Sequence, residues 1–479
     1  MTQKQTKLRT MDLTPNNNIS FPIGTILTVQ DYYNHLKLFE TFGKHKSKGR
    51  SLNSLIQALL SYKLTENQSI VQAAEWINQD EVLDIFHLES FEQRTLYRVL
   101  ETIGENCEEI IADIQDTLFD LYEFEHTDIN LDWTSFILWG IKCSIAKYGY
   151  SRDHRPDKKQ INVGIAELRD PVNIPIGITI KEGNVPDQVH FLDTFDQVKD
   201  RLEEDSLAVF DQGANRKKNL DHVENSMMKY LTLRQLNKSD DEKRIKGFDK
   251  SKAELIDEKK QVYGIKYKWP SKFNYFYFSE DLKKNQIESK IRKALRQYEE
   301  AKAIQKSIDD NKGLPKRFTI NNPLIDCVYS YQTKLTSMSE EEAKDILKKA
   351  AITGREGFFC IVSNKNLTLS DALSIYRQKD SIEKIIHSLK NEIDICPFRV
   401  WSDNSIYGAI IIGFITQLII SLIRFEHEDL KHTSPKFIKN SLMNLTVTVE
   451  FRKNAGKRYI YSNFNPVSNL ILSQNHGFS

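Results

Sequence analysis

Cysteine is scarce and unpaired in this chain: Cys107, Cys143, Cys327, Cys360 and Cys396 are the only five in 479 residues, and no two form a CxxC motif. That spacing excludes a cysteine zinc site or a disulfide framework and fits reduced thiols in a cytosolic protein. The N-terminus lacks the apolar core of a signal peptide, so export is not expected. Net charge is almost absent as well, +1 from 67 basic and 66 acidic residues, and gives no global signature of nucleic-acid binding. Long apolar runs are confined to one, Ile406 to Ile423, which carries Gly408, Gly413, Thr416, Gln417 and Ser421. A buried helix of an α/β core accounts for that run better than a membrane span.

What remains, 40% hydrophobic and 28% charged, is the composition of a globular protein with room for roughly two to four domains. The charge is unevenly spread. From Lys431 onward seven bases, Lys431, Lys436, Lys439, Arg452, Lys453, Lys457 and Arg458, meet the single acid Glu450, and GKHKSKGR near the start is also basic. Such ends are either solvated surface or contacts to a phosphate backbone.

The segment YRQKDSIEKIIHSLK places Tyr376, Glu383 and Lys390 at intervals of about two helical turns, with Lys379 one turn before the acid. An acid flanked by bases on one helical stripe suits a site that handles phosphates; it also suits an ordinary amphipathic helix with solvated charges. Two further acids sit at strand-like segments upstream. Asp132 interrupts the β-rich run INLDWTSFIL, and Asp211 closes the short apolar run in SLAVFDQGAN, where Gly213 lets the backbone turn closely. Taken alone, an Asp at a strand end is more often a turn or cap residue than a ligand. Together, three acids can hold a pair of magnesium ions across a phosphodiester, because magnesium takes few carboxylates and completes its shell with substrate oxygens.

The spacing Tyr376-x2-Lys379-x3-Glu383-x6-Lys390 resembles the Tyr-x2-Arg-x3-Glu-x6-Lys signature of DDE transposases in the insertion-sequence-four superfamily, with Lys379 where the family usually has Arg. GYSRDHRPDKKQINVG, from Gly149 to Gly164, resembles the segment after the first acid in one branch of that superfamily, and KEGNVPD, ending at Asp187, its next landmark. CPFRVWSDNSIYGAIIIGFITQLIISLIRF resembles the family's closing helix, so the similarity runs from Asn130 to Phe425 with one divergent stretch. It implies Asp132, Asp211 and Glu383 as catalytic metal ligands for two Mg2+ ions, with Mn2+ as a substitute. It implies Tyr376, Lys379 and Lys390 as DNA phosphate contacts. The partner is then double-stranded DNA, both terminal inverted repeats and target, engaged by a homodimer. The basic connection bearing Arg152, His154 and Arg155 is suited to phosphate contact, or is a solvated loop. Trp269 resembles, by position only, the aromatic residue on which some members stack a flipped base.

The expected fold class is α/β: a ribonuclease H-like core interrupted by a β-containing insertion and preceded by an α-helical region. The pattern divides into a helical DNA-binding region (1–125), the first part of the core (126–235), the insertion (236–355), the acid and closing helices (356–430) and a basic tail (431–479). Core strands are expected at Asp132, Gln160 to Arg169, Ile174 to Lys181, before Asp211 and at Lys229 to Leu233; the insertion carries the strands KYKWP and FNYFYFS and a helix from Lys283 to about Ile308. About 170 residues separate the second and third acids, more than one crossover needs. In the helical region Ser90 and Gln93 form a capping-box pattern, and Arg94 and Arg98 face solvent opposite an apolar stripe, as in a helix that reads DNA or in any bundle helix. The function expected is cut-and-paste transposition by a cytoplasmic prokaryotic protein that associates with the nucleoid on DNA. The alternatives are a domesticated, catalytically silent DNA-binding protein or a membrane-associated protein.

Overall fold

The computed structural model describes residues 18–46, 48–65, 69–139, 143–237, 239–310, 339–393, 400–452 and 456–473. Cys327, Cys396 and Lys453 lie outside them, as does the start of the closing-helix segment; Cys107, Cys143 and Cys360 are free thiols. The chain divides into two compact units, residues 1–230 with 375–479, and residues 231–374.

In the first unit four strands lie in the order β4-β3-β2-β5: β2 (Ile129–Ile137), β3 (Gln160–Leu168), β4 (Ile174–Glu182) and β5 (Leu207–Phe210). β2, β3 and β4 form an antiparallel meander, while β5 runs parallel to β2. The β6 strand (Lys229–Arg234) begins in this unit, where the Lys229 N–H donates to the Ser206 carbonyl at 2.9 Å. Side chains alternate across β2. Trp133 faces the helix Asp187–Asp196, donating its indole N–H to Thr194 Oγ1 at 3.1 Å, whereas Asn130 and Asp132 face the helix Asp380–Asn391. The sheet is thus covered on both faces, and β3 and β5 are buried along their whole length.

The helices Leu52–Thr65, Arg94–Glu105 and Cys107–Tyr122 pack in the same unit around the helix Asp403–Glu426. This last helix is long and apolar enough to cross a membrane, yet 89% of its apolar window is buried within the fold. Two glycines bring its neighbour close. A Cβ at Gly104 would stand 1.9 Å from the Asn404 carbonyl oxygen, and one at Gly408 would stand 2.0 Å from that of Leu100. The expected cap at Ser90 and Gln93 does not form: Ser90 Oγ donates to Asn78 Oδ1 instead, and the capping box sits at Ser69 and Gln72.

Part of the basic C-terminal region is folded. β11 (Thr446–Arg452) pairs with β12 (Gly456–Ser462) and with β1 (Asn18–Pro22), in the order β1-β11-β12.

The second unit holds the rest of β6 with β10 (Phe358–Ser363), β9 (Phe273–Ser279), β8 (Val262–Lys268) and β7 (Glu254–Asp257), neighbours in that order. All its pairings from β6 through β10 and β9 to β7 are antiparallel. Phe276, Phe278 and Phe358 cluster, and Tyr277 stacks on Phe359 at 5.0 Å. The helix Glu280–Asp309 packs against Glu340–Ala351. The chain makes this unit between Asp211 and Glu383.

Candidate active site

Parallel pairing of β2 with β5 sets the first two acids. Leu131 is in register with Phe210, so the next residues, Asp132 and Asp211, come abreast, about 4.8 Å apart in backbone terms. Asp211 has extended backbone and begins the turn Gln212–Ala214 without spending its carboxylate as a cap. A site at the carboxyl end of a parallel strand is where side chains of an α/β sheet can reach a ligand without obstructing the ladder.

The third acid comes from a broken helix. The stripe expected from Tyr376 to Lys390 on one helix is instead two helices, Leu369–Gln378 and Asp380–Asn391, with Lys379 at the joint. There the Lys379 N–H bonds the Tyr376 carbonyl and the Ile382 N–H bonds that of Lys379, a three-residue step that tightens the backbone. Neither proline nor glycine marks the break, and among the described residues nothing in the local sequence accounts for it.

The joint buries Lys379, only 3% exposed, among the three acids. Its Nζ lies 3.3 Å from Asp211 Oδ1 and 3.6 Å from both Asp132 Oδ2 and Glu383 Oε1. Tyr376 adds a hydrogen bond from its hydroxyl to Asp211 Oδ1 at 2.9 Å. Exposure rises from Asp132 through Asp211 to Glu383, with side chains 15%, 47% and 59% exposed, so the cluster opens to solvent on the Glu383 side. Burial pushes the Asp132 carboxyl up to about 6, against the pull of Lys379 and of the Trp133 N–H that donates to its Oδ1. Burial pulls the Lys379 ammonium down, but the three carboxylates outweigh it and hold its affinity for the proton above the ordinary value.

Three carboxylates converging on one point are an all-oxygen donor set, suited to Mg2+ or Mn2+ rather than to zinc. As placed, they surround an ammonium and are not drawn in to ligand distance; among the described residues no group of three His, Cys, Asp or Glu side chains is arranged to hold a metal ion.

Behind the acids lies a polar layer that the sequence reading missed. Asn130 Nδ2 donates to Glu167 Oε2 and to Ser381 Oγ, both at 3.1 Å, and Ser381 Oγ donates to Glu167 Oε2 at 2.8 Å. Glu167 is fully buried, and desolvation raises its carboxyl to about 7 despite those two donors. Its signal was present: an acid next to the last residue of the otherwise apolar-rich strand QINVGIAEL.

The other expected contacts are distributed. Arg152 pairs with Asp187 at 2.5 Å, and its backbone N–H donates to Ser135 Oγ; its charge is felt at Asp132. Lys390 reaches away from the acids to Asp153 at 2.9 Å and lies over the Phe136 ring. Arg155 makes a bidentate pair with Asp157, and His154 is exposed at a left-handed turn, φ 55°. Arg155 and Lys158 also stand over Trp139, an exposed indole that the sequence reading passed by. Arg94 and Arg98 are exposed on the helix Arg94–Glu105 and take no part in the acid cluster. Trp269 belongs to the second unit, half-exposed beneath the guanidiniums of Arg234 and Arg244.

No family profile matches the sequence, and neither does any curated protein sequence. Among solved structures the fold is similar to the cryo-EM structure of the piggyBac transposase synaptic complex with hairpin DNA, at TM-score 0.43 and 11% identity over 89% of this chain and 80% of that one. A likeness this loose decides nothing about the chemistry of the cluster.

Proposed function

We propose that the protein is a DDE transposase that binds the ends of its own mobile element and performs metal-dependent cleavage and strand transfer of DNA. The observation that carries this reading is the convergence of Asp132, within β2, Asp211, just past the end of β5, and Glu383, on the helix Asp380–Asn391, around one point. The order β4-β3-β2-β5, a meander followed by a parallel neighbour, supports it, because that is the topology of a ribonuclease H core.

In this reading the three carboxylates would hold two Mg2+ ions, or Mn2+, whose chemistry there would be to favour deprotonation of a water or 3′-hydroxyl and to offset the charge developing on the phosphodiester. Tyr376 orients Asp211 through its hydroxyl. Asn130, Glu167 and Ser381 tie β2 and β3 to the helix that carries Glu383, holding the acids in register. Lys379 and Arg152 supply positive charge next to the scissile phosphate, and Lys390 secures the basic segment 149–159 through Asp153. The partners are terminal inverted repeats and target DNA, bound by a homodimer, in a cytoplasmic protein that joins the nucleoid on DNA.

The test is incubation of the protein with linear duplex carrying the element's own ends, with Mg2+, with Ca2+ and with EDTA. Strand cleavage at the element boundary that requires Mg2+ or Mn2+ is the expected result. Binding without cleavage under every metal would instead establish a catalytically silent DNA-binding protein.

A further inference from the structure

Lys379 stands where a cation should stand. Its Nζ is within 3.3 to 3.6 Å of one oxygen from each acid, it is only 3% exposed, and it comes from a helix joint that aims it inward. A magnesium ion bound by the same oxygens needs them at about 2.1 Å, so it cannot share the centre with an ammonium group. A divalent ion placed beside Nζ also meets like charge in a partly desolvated site, where repulsion is poorly screened.

From these positions we propose that Lys379 is a resident counter-cation that withholds the acid cluster from divalent metal until a DNA phosphate gives it another partner. The inference rests on reading the cluster as a metal site, and adds that metal and DNA bind in a coupled way. A phosphate arriving on the open Glu383 side offers the ammonium a new anion; Lys379 swings toward it, and three carboxylates are left facing the metal. Linkage requires reciprocity: DNA raises metal affinity by the factor by which metal raises DNA affinity.

The experiment is Mn2+ titration of the full-length protein without DNA, followed by calorimetry and by water-proton relaxation, neither of which depends on turnover. The wild type should bind Mn2+ weakly. Lys379→Met should bind at least about tenfold more tightly, and adding Asp132→Asn to that variant should remove the gain. Circular dichroism establishes that each variant is folded, with Lys379→Gln as the second neutral replacement should the methionine fail. Wild-type binding as tight as that of the neutral variant overturns the resident-cation proposal and leaves the metal-site reading standing. Binding by neither protein overturns both.

Discussion

Glu167 shows how a single buried group constrains this site. A carboxyl held at about 7 in the folded chain, against an ordinary 4.5, keeps its proton more tightly than in the unfolded chain. Its contribution to stability is therefore complete below about pH 4.5 and is lost as pH rises through about 7, a change on the order of 3 kcal/mol. Asp132, raised to about 6, works in the same direction. Glu167→Gln keeps an oxygen to accept from Asn130 and Ser381 but cannot ionise. Denaturant unfolding of the variant should show a shallower fall in stability between pH 5 and 8 than the wild type; an unchanged slope would mean that Glu167 does not titrate in that window. At this scale the sequence was legible for residue type and not for partnership. Asp132 could be read from its place within a β-rich run and Asp211 from a strand end, whereas Lys379 buried among three acids follows from a helix break that no proline or glycine announces.

Among elements, the strands were the most legible, since alternation and short apolar runs specify β2 to β5 locally. The cap at Ser90 was misjudged because Asn78, twelve residues earlier, takes its hydroxyl. The hairpin of β11 and β12 shows its alternation in TVTVEFR, but its pairing with β1, as of Thr448 with Ser20, joins residues 428 apart and no local pattern could reveal it. The helix pair Arg94–Glu105 and Asp403–Glu426 depends on bare glycines. Gly408→Ala drives a Cβ onto the Leu100 carbonyl and should cost about 1–3 kcal/mol, read as a lower thermal midpoint; an unchanged midpoint would mean that the two helices separate freely. On its exposed face, replacing Arg94 and Arg98 with Ala should erase preference for element ends over scrambled duplex in a competition assay if this helix reads sequence. A retained preference would move recognition elsewhere. Lys390→Ala should weaken binding to element ends and reduce the log–log salt slope by about one, either through a lost phosphate contact or through release of Asp153 and its segment. An unaltered slope would assign Lys390 to structure alone.

Over the whole molecule, near-zero net charge conceals a local arrangement: an acid cluster containing one buried lysine, flanked by the basic segment 149–159. The sequence leaves a long interval between the second and third acids, and a compact unit, residues 231–374, falls within it. The sequence did not announce that the N-terminal helices, the strands and the C-terminal hairpin would share one unit, because the helix Asp403–Glu426 joins them from late in the chain. There Tyr32 and Tyr122 donate to Glu426, and His35 reaches the Tyr122 hydroxyl at 2.7 Å, linking early and late segments through one buried carboxylate. The central claim is that three carboxylates act together on a DNA phosphodiester. Its most direct test measures cleavage and binding of element-end duplex side by side for Asp132→Asn, Asp211→Asn and Glu383→Gln. Each variant should bind DNA at near wild-type affinity and lose Mg2+-dependent cleavage almost entirely, since a shared metal pair fails when any one ligand is removed. Near-normal cleavage by any of the three would contradict the account.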